Sequence, residues 1–271
     1  MPQIKIGITG CLGRMGKALT AAVLDNCDTV LVGGTETAAH PEIGKFIRHP
    51  MSGDQTDVKI TSDSEELIRA ADVILDFTCP TATKLHATLA EKNGTAIVIG
   101  TTGLNNDDEA VIKATSKSNT VVYASNYSLG VNLLFYLTRQ AASVLDDEFD
   151  IEILEMHHRD KVDAPSGTAL SLGREAASGR NVNLTEVMDS ARDGISENRK
   201  KGTIGFASLR GGNVAGEHTV SFNGDDERIE IIHKAGDRII FARGAVKAAL
   251  WVHKQKAGLY DMFDVLGLPK E

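Results

Sequence analysis

From Glu155 to Ala169 the chain reads Glu-Met-His-His-Arg-Asp-Lys-Val-Asp-Ala-Pro-Ser-Gly-Thr-Ala. His157, His158 and Lys161 are side chains able to hold or deliver a proton at a reacting centre. Pro165-Ser166-Gly167-Thr168 follows as a helix-start signal, with Ser166 as N-cap ahead of Ala169-Leu-Ser-Leu. A helix N-terminus gathers backbone N–H groups that attract carboxylate or phosphate. The chemistry this spacing suits is proton transfer to an anionic substrate. A polar strand edge followed by a solvated loop would look much the same, and the stretch alone leaves both open. The preceding Phe149-Asp-Ile-Glu-Ile-Leu-Glu-Met156 alternates as a strand does. Successive strand side chains point to opposite faces, so His157 and His158 face one ligand together only if the strand breaks between them.

A second chemical stretch opens the chain. Ile4-Lys-Ile-Gly-Ile-Thr9 reads as a short strand, Gly10-Cys-Leu-Gly13-Arg-Met-Gly16 as a turn, and Lys17-Ala-Leu-Thr-Ala-Ala-Val-Leu24 as a helix. Strand, glycine turn and helix in that order suit a dinucleotide: small residues admit the pyrophosphate, and the helix dipole favours its charge. The spacing G-x-x-G-x-x-G is less specific than G-x-G-x-x-G, and an ordinary tight turn between strand and helix is the alternative. The next strand, Thr29-Val-Leu-Val-Gly33, leads to Glu36, placed where an acid holds a ribose 2′-hydroxyl.

The elements that must position these groups follow from periodicity. Residues 40 to 57 read as loop, Val58-Lys-Ile-Thr61 as a strand, and Ser62-Asp-Ser-Glu65 as a capping box before a short helix. Asp72-Val-Ile-Leu-Asp-Phe77, Thr95-Ala-Ile-Val-Ile99 and Thr120-Val-Val-Tyr123 are buried-type strands, separated by helices to about Asn93 and from Asn105 to about Ser116. Strands alternating with helices predict a parallel sheet covered on both faces, with ligands at the carboxyl ends of its strands. Three such ends carry small polar turns: Phe77-Thr78, Gly100-Thr101-Thr102 and Ala124-Ser125-Asn126-Tyr127. A helix from Gly130 to about Val144 precedes the Phe149 strand. Residues 179 to 203 read as a long loop. Strands at Ile204–Leu209, Gly216–Phe222 and Arg228–His233 follow, the last two joined by the hairpin turn Asn223-Gly-Asp-Asp-Glu227. A helix from Asp237 to about Lys254 has the spacing to pack back on the first domain. The fold expected is α/β: a Rossmann-type parallel-sheet domain plus a second α+β domain with a mixed sheet.

With 271 residues the chain has room for one large or two moderate domains, and its net charge of −8 argues against a nucleic-acid or anionic-membrane partner. Cys11, Cys27 and Cys79 are scattered, with no metal-ligand spacing and no disulfide framework, which suits a reducing, cytoplasmic setting. A strand begins almost at once, leaving no room for a signal peptide, and no apolar run is long enough for a bilayer.

Taken together, these stretches resemble the 4-hydroxy-tetrahydrodipicolinate reductase (dihydrodipicolinate reductase) family of bacterial lysine and diaminopimelate biosynthesis. The resemblance is carried by Gly10-x-x-Gly13-Arg-Met-Gly16, Asp76-Phe-Thr, Gly100-Thr-Thr-Gly103, Ser125-Asn-Tyr-Ser128, Glu155-x-His-His-Arg-x-Lys161-x-Asp-Ala-Pro-Ser-Gly-Thr168 and Gly216-Glu-His-Thr219. It implies a dinucleotide domain of residues 1–128 and 239–271, and a substrate-binding and oligomerisation domain of residues 129–238 whose sheet forms homotetramers. It also implies hydride transfer from NADH or NADPH to a cyclic imine dicarboxylate, followed by protonation of the adjacent ring carbon. The resemblance makes His157 and Lys161 the catalytic pair and assigns substrate binding to His158, Gly167 and Thr168. Cofactor binding falls to Gly10, Cys11, Leu12, Gly13, Arg14, Met15, Glu36, Gly100, Thr101, Thr102, Ala124, Ser125, Asn126 and Tyr127. No metal is implied.

One position departs from the family pattern. Members that favour NADPH often carry arginine just after the ribose-binding acid, where this chain has Thr37. Threonine offers no bidentate, permanently charged contact to a 2′-phosphate, which implies dual use or some NADH preference unless Arg14 or Lys17 compensates. Two rival kinds of protein would share part of this pattern. Another two-domain nicotinamide enzyme would carry the glycine turn and Glu36 without needing the His-His-x-x-Lys run. A redox-sensing module binding NAD(H) would need no acid/base cluster, and usually a DNA-binding element that the acidic charge disfavours.

Overall fold

Apolar runs of four to seven residues, each too short for a helix and each bounded by turn residues, make the central strands of this protein's larger sheet. The computed structural model describes residues 2–190, 192–195 and 197–270. It divides into one unit of residues 1–129 and 238–271 and a second of residues 130–237.

In the first unit the chain runs β1 (Ile4–Thr9), α1 (Arg14–Leu24), β2 (Thr29–Thr35), β3 (Phe46–Arg48), β4 (Gln55–Thr61), α2 (Ser64–Ala70), β5 (Val73–Asp76), α3 (Pro80–Asn93), β6 (Ala96–Ile99), α4 (Asn106–Thr115) and β7 (Thr120–Tyr123). The second unit holds α5 (Leu129–Val144), β8 (Asp150–His157), α6 (Gly167–Gly179), α7 (Leu184–Val187), β9 (Met188–Asp189), β10 (Ile204–Arg210), β11 (Glu217–Asn223) and β12 (Arg228–Lys234). The chain then returns to the first unit with α8 (Ile239–Val252), β13 (Gly258–Tyr260) and α9 (Met262–Leu266).

The first sheet has the order β13-β7-β6-β5-β1-β2-β4-β3. Its pairs are parallel apart from the edge pair β3–β4. The order reverses between β1 and β5, where Thr9 lies beside Asp76. Such a switch point leaves a crevice at the strands' carboxyl ends. β5 and β6 are buried along their whole length, as helices on both faces require. Ile6, Ile8, Leu75 and Val98 pack with Ala245, Ala248 and Ala249 of α8 on one side of the sheet, while Ile74, Ile97 and Ile99 pack with Ile68 and Ile112 on the other. Burying a side chain of that size contributes roughly 1.5–3 kcal/mol.

The second sheet, β12-β11-β8-β10-β9, is mixed. β8 and β10 are parallel, while β11 runs antiparallel to both β8 and β12. Its inner face carries Ile151, Ile153, Phe206, Val220 and Phe222, and α6, with Ala169, Leu172 and Ala176 buried, packs on β8 and β10.

Several local expectations need correction. Residues 40 to 57 are not all loop: 46–48 form β3, and β4 begins at Gln55. Both lie at the sheet edge with half their side chains exposed, so the sequence lacks the apolar signal of a buried strand. The 179–203 stretch contains α7, capped by Asn183, and β9, which pairs with β10; positions 191 and 196 lie outside the described residues. Elements of two to four residues carry no readable period. The cap of α2 is Asp63, whose carboxylate accepts from the Glu66 N–H at 2.9 Å, rather than Ser62. β13, unforeseen, extends the sheet beyond β7.

The tightest fit in this core is Gly244 of α8, where a Cβ would fall 1.7 Å from the Tyr127 carbonyl oxygen. Backbone cannot yield as a side chain does, so Gly244→Ala should cost at least about 1–3 kcal/mol. The urea midpoint should fall accordingly, and an unchanged midpoint would contradict this packing.

Candidate active site

The glycine turn shows why its residues must be small. Gly10 has φ +64°, the left-handed region, and Gly13 N–H donates to its carbonyl at 3.0 Å. At Gly16 a Cβ would lie 2.0 Å from Gly10 O, so helix and turn touch through backbone alone. α1 begins after Gly13 with no side-chain cap and no acid in its first turn, which keeps the positive helix end uncompensated. A cleft of about 450 Å³ opens beside it, lined by Gly10, Gly13, Glu36, Thr37, Thr78 and His86 among others. Neither Arg14 nor Lys17 lines it. A dinucleotide's phosphate and ribose suit this cradle of glycine backbone, helix N-terminus and carboxylate.

Below the cleft a polar hub ties the strand ends together. Asp76, fully buried, accepts from Thr9 Oγ1 at 3.2 Å and Thr78 Oγ1 at 2.5 Å, and meets His86 Nδ1 at 3.3 Å. Thr101 Oγ1 accepts from the Thr78 N–H at 2.9 Å and from Thr83 Oγ1 at 2.7 Å. The Phe77 ring lies so close to Gly100 that a Cβ there would sit 2.0 Å from it, and Phe77 packs on Tyr127 with centroids 5.1 Å apart. Tyr127 is itself buried, donating its hydroxyl to Ile99 O at 2.8 Å. Burial keeps that phenol well above the ordinary range, so its side chain serves the fold. Burial, then the nearby Glu36 charge, pushes the Cys11 thiol up to about 12, which leaves it a neutral packing group. Gly10, Cys11, Leu12, Gly13, Arg14, Met15 and Glu36 all fall on this turn or at the adjoining end of β2, with Leu12 and Met15 packed on the core and Arg14 exposed. Gly100, Thr101 and Thr102 follow β6, and Ala124 to Tyr127 follow β7.

In the second unit, β8 ends at His157 and breaks before His158. On the inner face the alternation that buries Ile151 and Ile153 continues through Glu155 and His157, so the apolar core grades into an ionic cluster at the strand's carboxyl end. Strand register assembles the rest: Ser208 and His218 flank Glu155, and Arg210 flanks His157. Glu155, 1 % exposed, meets His157 Nδ1 at 2.5 Å and accepts from both terminal nitrogens of Arg210 at 2.9 and 2.8 Å. It also accepts the Ser166 N–H at 3.2 Å. Ser166 caps α6 through the Ala169 N–H at 3.2 Å, and its hydroxyl meets His218 Nε2 at 3.3 Å. The His218 ring stands edge-on to His157, centroids 5.2 Å apart. Lys161 Nζ pairs with Asp163 at 2.8 Å, while Arg210 donates to the Asp163 carbonyl at 2.6 Å.

Electrostatics sort these groups. Burial alone would raise the Glu155 carboxyl, but hydrogen bonds from Arg210, His157 and Ser208 prevail and hold it at about 2. Burial pulls His157 below the usual histidine value, against the pull of Glu155, with Lys161 and Arg210 adding to the depression. His218 is pulled down to about 4, first by burial and then by His157. His158 is half-buried with its N–H on Val214 O at 2.8 Å, and Gly167 and Thr168 form the first turn of α6.

The structure thus gathers His157, Lys161 and the Gly167–Thr168 turn around one strand end. It also reveals partners to which no role had been given: Glu155, Arg210 and His218 here, and Asp76 and His86 in the first unit. Glu155 was findable, since residues two apart on a strand share a face. Arg210 and His218 depend on register between distant strands, which no local pattern encodes.

A dinucleotide-type crevice and an acid/base cluster beside a helix N-terminus define a nicotinamide-dependent oxidoreductase. Residues 4–127 match the family model "Dihydrodipicolinate reductase, N-terminus" and residues 130–266 its C-terminus counterpart. The chain belongs to the dihydrodipicolinate reductase family. It is 48 % identical over 268 residues to a 4-hydroxy-tetrahydrodipicolinate reductase of Bradyrhizobium diazoefficiens, covering 99 % of both chains. It is 50 % identical to one of Rhodopseudomonas palustris strain BisB5, again over 99 % of both. A dipicolinate-bound dihydrodipicolinate reductase structure from Paenisporosarcina sp. TG-14 superposes with TM-score 0.75 at 26 % identity, covering 97 % of this chain and 98 % of that one.

The depressed His218 makes stability depend on pH. Between its ordinary value of 6.5 and about 4 the unfolded chain binds a proton there that the folded chain refuses. This contribution is therefore complete above 6.5 and lost as pH falls toward 4, amounting to roughly 3 kcal/mol. Urea titrations at stepped pH should show that slope, flattened in His218→Gln; an equal slope in the variant would contradict the assignment.

Proposed function

We propose that this protein reduces 4-hydroxy-tetrahydrodipicolinate, by way of dihydrodipicolinate, to tetrahydrodipicolinate in lysine and diaminopimelate biosynthesis. The observation that carries the reading is the convergence of His157, Lys161 and the α6 N-terminus at the end of β8, in a chain of this family. A cyclic dicarboxylate presents two anionic groups, and the cluster offers a helix N-terminus and a lysine to receive them. Bound NADH or NADPH supplies the hydride. His157 and Lys161 hold the proton that the adjacent ring carbon then requires, and His158, Gly167 and Thr168 position the carboxylates. The Gly10–Met15 turn receives the pyrophosphate and Glu36 the ribose, while residues 100–102 and 124–127 border the nicotinamide end.

For the cofactor we read dual use or some NADH preference. The cleft beside Glu36 has Thr37 and Ala38 where a 2′-phosphate would need a cation, and among the described residues no lysine or arginine lines it. The free cysteines support a reducing compartment, the cytoplasm.

For assembly we read a homotetramer. The outer face of the second sheet places Leu154 beside Ala207 and Thr219, and Thr219 beside Ile232, with Leu209 one row on. Leu154, Leu209 and Ile232 are 40, 49 and 51 % exposed, an apolar row suited to a second copy.

Oxidation of NADH and NADPH should be followed with substrate generated in situ by the synthase of the preceding step. Wild type should turn over, and His157→Ala and Lys161→Ala should each lose about 10²- to 10⁴-fold in kcat. No substrate-dependent oxidation by nucleotide-binding protein would sink the reading. In the same assay Thr37→Arg should raise kcat/KM for NADPH by about tenfold, as one charged hydrogen bond allows; a large NADPH advantage already in wild type would refute the cofactor reading. Sedimentation should give a tetramer that Leu154→Glu with Ile232→Glu dissociates, and a monomeric wild type would remove the assembly reading.

A further inference from the structure

We propose that Glu155, fixed by Arg210, is the positioning residue of His157: it commits Nδ1 as a donor, makes Nε2 the atom that takes up and releases the proton, and ties the imidazole to the cap of α6. The inference rests on the reading of His157 as a proton-transfer group and concerns how that group is held.

Three features support it. Glu155 stands two residues before His157 on the same face of β8, with its carboxylate on Nδ1 at 2.5 Å. A carboxylate that stays ionised across the working range accepts only, so Nδ1 keeps its proton in both charge states of the ring. Next, the carboxylate cannot rotate away. Arg210 engages both oxygens, at 2.9 and 2.8 Å, and is itself anchored on the carbonyls of Asp163 and Leu209, each at 2.6 Å. Finally, Glu155 also accepts the Ser166 N–H at 3.2 Å, so one side chain aligns the imidazole and the start of α6. A buried ion held from two strands and a helix cap is costly to build, and its effect here is to orient the proton carrier against the anion cradle.

The opposite edge of the ring has been left clear. Among the described residues Nε2 has no protein hydrogen-bond partner, and it is not one of the polar atoms wholly cut off from solvent. It lies 3.0 Å from where a Cβ on Gly216 would be, at a backbone φ of +153°. A larger residue at 216 would crowd that edge. The charged or titratable groups around His157 are Glu155 on its own strand, Arg210 on β10, His218 on β11 and Lys161 in the loop after β8. Of these Glu155 alone favours the protonated ring. In the transfer, the Nε2–H bond of the imidazolium breaks as a C–H bond forms on the reduced ring. The neutral imidazole that remains carries its proton on Nδ1 and is recharged from solvent at Nε2.

The test uses full-length protein labelled with ¹⁵N-histidine, alongside kinetics. In wild type, neutral His157 should show the Nδ1–H tautomer, identified by its loss in His157→Asn. In Glu155→Gln, the His157 titration should move about one unit to lower pH, since the partner that favours the charged ring is gone. kcat should drop about 100-fold with KM changed less than threefold, and Glu155→Asp should recover part of that loss. An Nε2–H tautomer in wild type overturns the proposal whether or not any variant folds. So does a Glu155→Gln enzyme with wild-type kcat and an unmoved titration. Failure of wild type to reduce the substrate would instead fall on the function proposed above, because the tautomer and titration are read without turnover.

Discussion

A carboxylate deprived of water is tolerated where its charge and both oxygens are met, and Glu155 satisfies that condition through Arg210, His157, Ser208 and the Ser166 backbone. Those partners come from β8, β10 and the cap of α6, which binds the sheet register to the site. β8 alternates strictly, so a slip of one residue against β10 or β11 would turn Glu155 and His157 to the outer face together with Ile151 and Ile153. The apolar half of the strand therefore sets the register, and the ionic half uses it. Removing Arg210 alone would strand the Glu155 charge in the interior, so the pair is best seen as one structural unit.

The first unit handles anions by other means. Its glycine turn brings backbone rather than charge to the cleft, and the close approach of Gly16 to Gly10 O excludes any side chain from the contact. Asp76 does for the strand ends here what Glu155 does in the second unit. Its oxygens are met by Thr9, Thr78 and His86, joining β1, the turn after β5 and α3 at the crevice where the strand order reverses.

These differences govern what could be read in advance. The glycine spacing, the buried strands and the helix starts at Ser166 and Asn105 are local, and each appears where its residues indicate. β3, α7, β9 and β13 are two to four residues long and owe their form to a neighbouring strand or a cap, so no window of sequence contains their cause. Within the site, His157 and Lys161 were visible as chemistry. Arg210 and His218 were not, because what brings them beside Glu155 is a pairing across fifty or more residues. His86 was hidden differently: it lies on a helix face whose other residues read as ordinary packing.

The arrangement also sets how charge is distributed before a ligand arrives. Burial pulls His157 and His218 below the ordinary histidine value, so near neutral pH both rings rest uncharged. Arg210 is spent on Glu155. On the proposed roles an incoming dianion meets Lys161, in exchange for its present partner Asp163, together with His158 and the N-terminus of α6. Negative charge placed beside His157 would oppose the desolvation that holds it neutral, raising its affinity for a proton. By linkage the protonated ring must favour the dianion by the same factor. On the proposed roles, the acid is therefore loaded by the substrate that needs it, and the fixed Glu155 carboxylate directs that proton to Nε2.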